Sequence, residues 1–210
     1  VDEAMNPDNL STVFARLYEL RMQGRRDGMS ELMDSIIDEY ELDHEQLPFW
    51  AAQVMGAAWI TAGELERGIE ILEQTFDLSQ PMISTLGGGA FGISVLNTLV
   101  WAYQATGQDD KADETLAYVL DQIESWQAAG ASGSPSARAR YATALVLSRR
   151  VDEGLTELEQ AIDIGYRDYY FTWHDLPWAG LREDRRFLDL MERIKTDVDV
   201  MVERIREVEA

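Results

Sequence analysis

Apolar residues recur along most of this chain at intervals of three and four, the spacing of one buried helix face. The pattern predicts helices near 9–23, 26–41, 48–62, 64–78, 91–106, 109–127, 136–148 and 151–163. Pro48 and Pro135 fit the first turns of two of them, where a missing N–H costs nothing. Ser79 to Gly92 and Ala128 to Ser134 read as linkers. The longest stripe comes last. Phe187, Met191, Ile194, Val198, Met201, Ile205 and Val208 alternate by four and three, a heptad pattern on a long terminal helix. That stripe can cap the end of a helical array, or pair with a second copy to form a homodimer.

Within the helical region a unit repeats. One copy runs from Gly56 through Trp59, Gly63 and Gly68 to Leu72. A second runs from Leu99 through Tyr103, Gly107 and Ala112 to Leu116 and Val119. A third spans Ala142, Val146, Arg149, Gly154, Leu158 and Ala161, and a faint first copy spans Leu17 to Ile36 around Gly24. The turn positions Gly24, Gly63, Gly107 and Arg149 each fit the end of a first helix, where glycine adopts a left-handed backbone at little cost. Small Gly68, Ala112 and Gly154 let the second helix of each hairpin approach the first. Gly56 and Ala142 do the same from the opposite side. Acidic Glu64, Asp109, Asp110, Asp152 and Glu153 stand near the starts of second helices, where the helix dipole favours them.

These units resemble the tetratricopeptide repeat over roughly residues 10 to 165. The spacing of about forty residues exceeds the family's 34, Arg149 stands at a turn-glycine position, and Met29 stands at a small-residue position. The resemblance implies an all-α fold, an α-α superhelix of about four helical hairpins over 1–165, with 166–210 as an aromatic connector and capping helix of the same domain. The connector, from Gly165-Tyr166-Arg167-Asp168-Tyr169 through Trp173-His174-Asp175 and Trp178 to Arg185-Arg186-Phe187, resembles the tail of bacterial tetratricopeptide regulators. In those proteins a winged-helix, cyclase or kinase effector often precedes the repeats. The start at Val1 is then expected to be a processed end or the edge of a fragment.

Composition narrows the functional classes. The net charge is −21, so the chain repels phosphate backbones and anionic membrane surfaces, and a basic partner suits it better than nucleic acid. No apolar run is long enough for membrane insertion, and a soluble protein is expected. There is no cysteine, which removes thiolate chemistry and leaves cytoplasm and periplasm equally open. Candidate chemistry is sparse. His44 and His174 are the only histidines, and neither sits in a metal-binding or catalytic spacing. Gly87-Gly88-Gly89-Ala90-Phe91-Gly92 lacks the Gly-Lys-Ser/Thr ending of a phosphate loop; opening onto a groove, it would give Phe91 a contact role. No enzyme activity, metal or cofactor is expected.

The family's first helices line a concave face. Register from the turn positions places Phe14, Tyr18 and Arg21 there, then Trp50, Gln53 and Ala57, then Asn97, Trp101 and Gln104, then Ser136 and Thr143. Aromatic rings with amides suit an extended peptide or helix. No lysine lies on this face, which argues against a carboxylate-clamp ligand of the chaperone-binding kind. The leading expectation is thus a protein- or peptide-binding module, the scaffold or sensor part of a bacterial regulator. The alternative is a small-ligand sensor with a pocket between the third hairpin and Trp173–Trp178.

Overall fold

The computed structural model describes residues 15–17, 19–21, 23–40, 49–76, 88–128 and 134–209. Among these, all regular structure is helical. A leading helical segment, residues 15–17 and 19–21, precedes α1 (Asp27–Tyr40), α2 (Phe49–Ala62), α3 (Leu65–Glu73), α4 (Gly88–Ala105), α5 (Asp109–Ala128), α6 (Pro135–Leu147), α7 (Val151–Asp163), α8 (Tyr169–His174), a 3-10 turn (Leu176–Leu181) and α9 (Arg185–Glu209).

The turns explain why the chain folds back at regular distances. Gly24, Gly63 and Gly107 have φ of 67°, 105° and 72°, and Arg149 takes the same left-handed conformation at 61°. Each turn closes with one pair of hydrogen bonds. At Gly63, its N–H donates to Ile60 O, and Glu64 N–H donates to Trp59 O. The same pair recurs around Gly24, Gly107 and Arg149, and again around Gly165 after α7. This is the Schellman closure, which satisfies helix-end carbonyls and reverses the chain.

The reversals set α2 against α3, α4 against α5 and α6 against α7. Small residues hold these pairs close. A Cβ on Gly68 would lie 2.7 Å from Gly56 O, and one on Gly154 would lie 2.9 Å from Ala142 O. First helices of successive hairpins also pack together, α2 on α4 and α4 on α6, and α1, the second helix of the first hairpin, packs on α2. Met29, at the position where the repeat expects a small residue, is fully buried in the first core layer.

Two element bounds depart markedly from the sequence expectation, and two further elements were not expected. The helix expected from 91 begins at Gly88, inside the predicted linker. Burial of Ile93, Leu96 and Val100 outweighs the poor helix propensity of its glycines. The helix expected to reach 78 ends at Glu73, and Thr75 caps it by donating both its N–H and its hydroxyl to Leu72 O. Inside the aromatic connector lie α8 and the 3-10 turn, which no periodicity announced. The connector packs back on the array: the 3-10 turn meets α4 and α6, and α9 meets α7. Phe187, Met191 and Ile194 join the core of α6 and α7, whereas Met201 and Ile205 are more than half exposed. No helix among the described residues is long and apolar enough to cross a membrane.

Candidate binding pocket on the first-helix face

One face of each first helix turns toward a common cavity of about 210 Å³. The leading segment contributes Leu17 and Arg21, and α1 contributes Met29. Three helices supply the walls: Val54, Ala57 and Ala58 from α2, Phe91, Ser94 and Val95 from α4, and Ser136 and Arg140 from α6. Phe171 from α8 closes one side. The members of each helix lie three or four residues apart, so each set shares one helical face. The lining is predominantly apolar, and its charged groups are two arginines.

The connector holds Phe171 in place through a chain of local bonds. Gly165 has φ of 110° and reverses the backbone after α7. Asp168 caps α8 by accepting from Phe171 N at 3.2 Å. Burial pushes the Asp168 carboxyl above its ordinary value, against the opposing pull of that bond and of Arg140. The Tyr166 and Thr172 hydroxyls share a buried hydrogen bond at 3.0 Å, and burial drives the Tyr166 phenol up to about 12. Beyond α8, Trp178 is 1 % exposed and donates from Nε1 to Thr143 Oγ1 at 3.2 Å. The rings of Tyr169, Trp173, Phe187 and Trp178 continue as a stacked ladder with neighbouring centroids 5.3–6.2 Å apart.

Two guanidinium groups lie over the Phe171 ring, Arg140 at 3.9 Å and Arg21 at 4.7 Å from its centroid. Cations over an aromatic face are held by its quadrupole. Arg21 also donates to buried Asp175 at 3.0 Å, so the leading segment is tied to the connector. Arg140 differs. Its Nε is buried without a hydrogen-bond partner, and its guanidinium forms no ion pair among the described residues.

The residues expected on the groove divide. Arg21, Ala57 and Ser136 do line the cavity. Gln53, Asn97 and Thr143 are at most 3 % exposed and sit within the packed layers. Asn97 Nδ2 donates to Arg140 O, and Gln104 Nε2 donates to Leu147 O, so both amides fasten α4 to α6. Thr143 donates to Ala139 O while accepting from Trp178. Trp101 is half-buried against the core of α4 and α5. Phe14 and Tyr18 lie outside the described residues, as does the side chain of Trp50. The pocket expected between the third hairpin and Trp173–Trp178 has a counterpart in this cavity, which Phe91, Ser94 and Val95 line with Phe171 from the connector, while neither Trp173 nor Trp178 lines it. Sequence reasoning missed Arg140 and Phe171; the one available signal was the four-residue step from Ser136 to Arg140.

His174 packs its ring against Gly24, and its pKa is lowered first by burial and then by Arg182 and Arg26. Among the described residues no group of three or more His, Asp or Glu is placed to hold a metal ion. No protein-family model, curated protein or solved structure shows a significant match to this chain.

Proposed function

We propose that this chain is a non-catalytic binding domain built from tetratricopeptide-like hairpins, and that its concave-face cavity takes a small apolar ligand. The observation that carries this reading is the cavity itself, lined by the same faces of successive first helices and closed by Phe171. Ligand pockets are mostly apolar concavities with a few placed polar groups, and this lining has that composition. An engineered apolar cavity of about 150 Å³ takes up benzene, so about 210 Å³ suits a molecule modestly larger than one ring.

A peptide groove has less support in this geometry. The amides of Asn97 and Gln104 already bond within the chain, and the connector lies on the side where an extended peptide would run. Among the described residues no carboxylate or histidine lines this cavity to move a proton, which favours binding over catalysis there. The recurring turn closure and the packing of first helix on first helix support the family resemblance.

The test is a cavity-filling substitution. Titration of the folded protein with 1-octanol should give saturable binding in tryptophan fluorescence and a rise in Tm. Ala57→Leu should raise the ligand-free Tm, as filled cavities often do, and should abolish the ligand-dependent rise. Octanol binding that does not saturate, or that survives Ala57→Leu unchanged, would overturn the reading.

A further inference from the structure

We infer that the cavity selects an anionic amphiphile, a carboxylate bearing a medium alkyl chain or a single aryl ring, through Arg140. The inference rests on the small-ligand reading above and adds the chemistry of the ligand's head group.

Four observations converge on it. Arg140 lines the cavity, yet its buried Nε has no hydrogen-bond partner. A buried donor left unpaired costs free energy, and within the fold the Phe171 ring and the attraction of Asp168 hold the group there without giving that donor an acceptor. Arg21 is already paired with Asp175, whereas Arg140 forms no ion pair among the described residues, which makes its guanidinium the better placed of the two to take a ligand. The Arg140 Cζ lies 3.9 Å from the Phe171 ring centroid, a contact that restrains the guanidinium before any ligand arrives. Finally, Ser136 lies one turn earlier on the same face of α6, in the first turn of that helix. Its hydroxyl and the positive end of the helix dipole both favour a negative group beside Arg140.

The rest of the lining dictates the tail. Leu17, Met29, Val54, Ala58 and Val95 offer hydrocarbon without a hydrogen-bonding side chain. A head held at Arg140 and Ser136 thus leaves an apolar remainder among these residues. The net charge of −21 repels anions at long range, so recognition has to come from this local arrangement. A carboxylate matches the guanidinium in two parallel hydrogen bonds, which an alcohol or amine of equal length cannot form.

The experiment compares octanoate, 3-phenylpropanoate, 1-octanol and octylamine by calorimetric titration against the wild-type protein and Arg140→Met, at fixed salt. Octanoate should bind at least tenfold tighter than octanol, and octylamine should be the weakest. Octanoate against phenylpropanoate distinguishes an alkyl from an aryl tail. In Arg140→Met the preference of octanoate over octanol should vanish while octanol binding stays. Arg140→Gln, which keeps a polar side chain, provides a second variant should the first unfold by circular dichroism. Equal binding of octanoate and octanol to wild type, or a preference that survives both variants, overturns the assignment to Arg140 and leaves the cavity reading standing. Absence of binding by all four ligands to folded protein overturns both.

Discussion

Individual glycines in this chain do two different jobs, and the difference can be measured. Gly68 is a contact glycine: an added Cβ would meet Ile60 N at 2.9 Å and Gly56 O at 2.7 Å, both backbone atoms that cannot swing away. Overpacking of this kind costs about 1–3 kcal/mol, and alanine regains roughly 1 kcal/mol of helix propensity. Gly68→Ala should therefore lose up to about 2 kcal/mol in urea denaturation, by separating α2 from α3. Gly107 is a turn glycine with no neighbour near its Cβ site and φ of 72°. Gly107→Ala should lose about 1 kcal/mol from backbone strain alone. The converse applies at Arg149, which already carries that strain at φ of 61°. Arg149→Gly should gain about 0.5–1 kcal/mol, and a loss at this position would contradict the left-handed turn. Both kinds of glycine were legible in the sequence because their spacing recurs. Arg149 stood out there as a departure from the turn pattern, yet its backbone follows that pattern fully.

At the scale of single elements, legibility follows the source of stability. The paired helices were readable because each carries a periodic apolar face long enough to register. Six-residue α8 has no such face; it exists because Asp168 caps it, Tyr166 bonds Thr172 across it, and Phe171 is buried beneath two arginines. The cap and the hydroxyl pair are local, but six residues are too few to show a periodic face, and the arginines over Phe171 come from distant parts of the chain, so no apolar pattern announced the element. The same lack of sequence proximity hid Arg140 and Phe171 as cavity residues. Asp168 also gives α8 a pH signature. Burial raises its folded pKa above the ordinary 3.8, so the native state holds that proton more tightly than the unfolded chain. Its contribution to stability therefore falls as pH rises from 3.8 through the folded value, and stays low above it. Asparagine keeps the cap without the buried charge. Asp168→Asn should be as stable as wild type or more so at pH 7, and thermal denaturation across pH should show the two converging on acidification below 3.8. A variant destabilised at pH 7 whose deficit disappears on acidification would mean that the charge itself, and its attraction to Arg140, holds the element.

The whole molecule adds a boundary that sequence cannot mark. The heptad stripe of α9 reads as uniform from Phe187 to Val208, but the body is long enough to cover only its first half. Phe187 and Ile194 are fully buried against α6 and α7, whereas Met201, Ile205 and Val208 are 52 %, 56 % and 87 % exposed. The same apolar pattern thus serves as a cap in one half and stands unpartnered in the other. Substitutions should expose that boundary sharply. Phe187→Ala should lose about 3–5 kcal/mol, the usual cost of a fully buried aromatic side chain. The triple change Met201→Glu, Ile205→Glu and Val208→Glu should leave Tm nearly unaltered at low protein concentration, since none of the three packs on the body. Sedimentation equilibrium then separates two uses of the exposed stripe. A wild-type mass that rises with concentration, and that the triple glutamate variant returns to the monomer value, would make the second half of α9 a self-association surface. A wild type that stays monomeric would leave it as a helix held only by the capping half. In either outcome the Phe187 penalty should persist, because the end of the hairpin array must be covered whether or not α9 also meets a second copy.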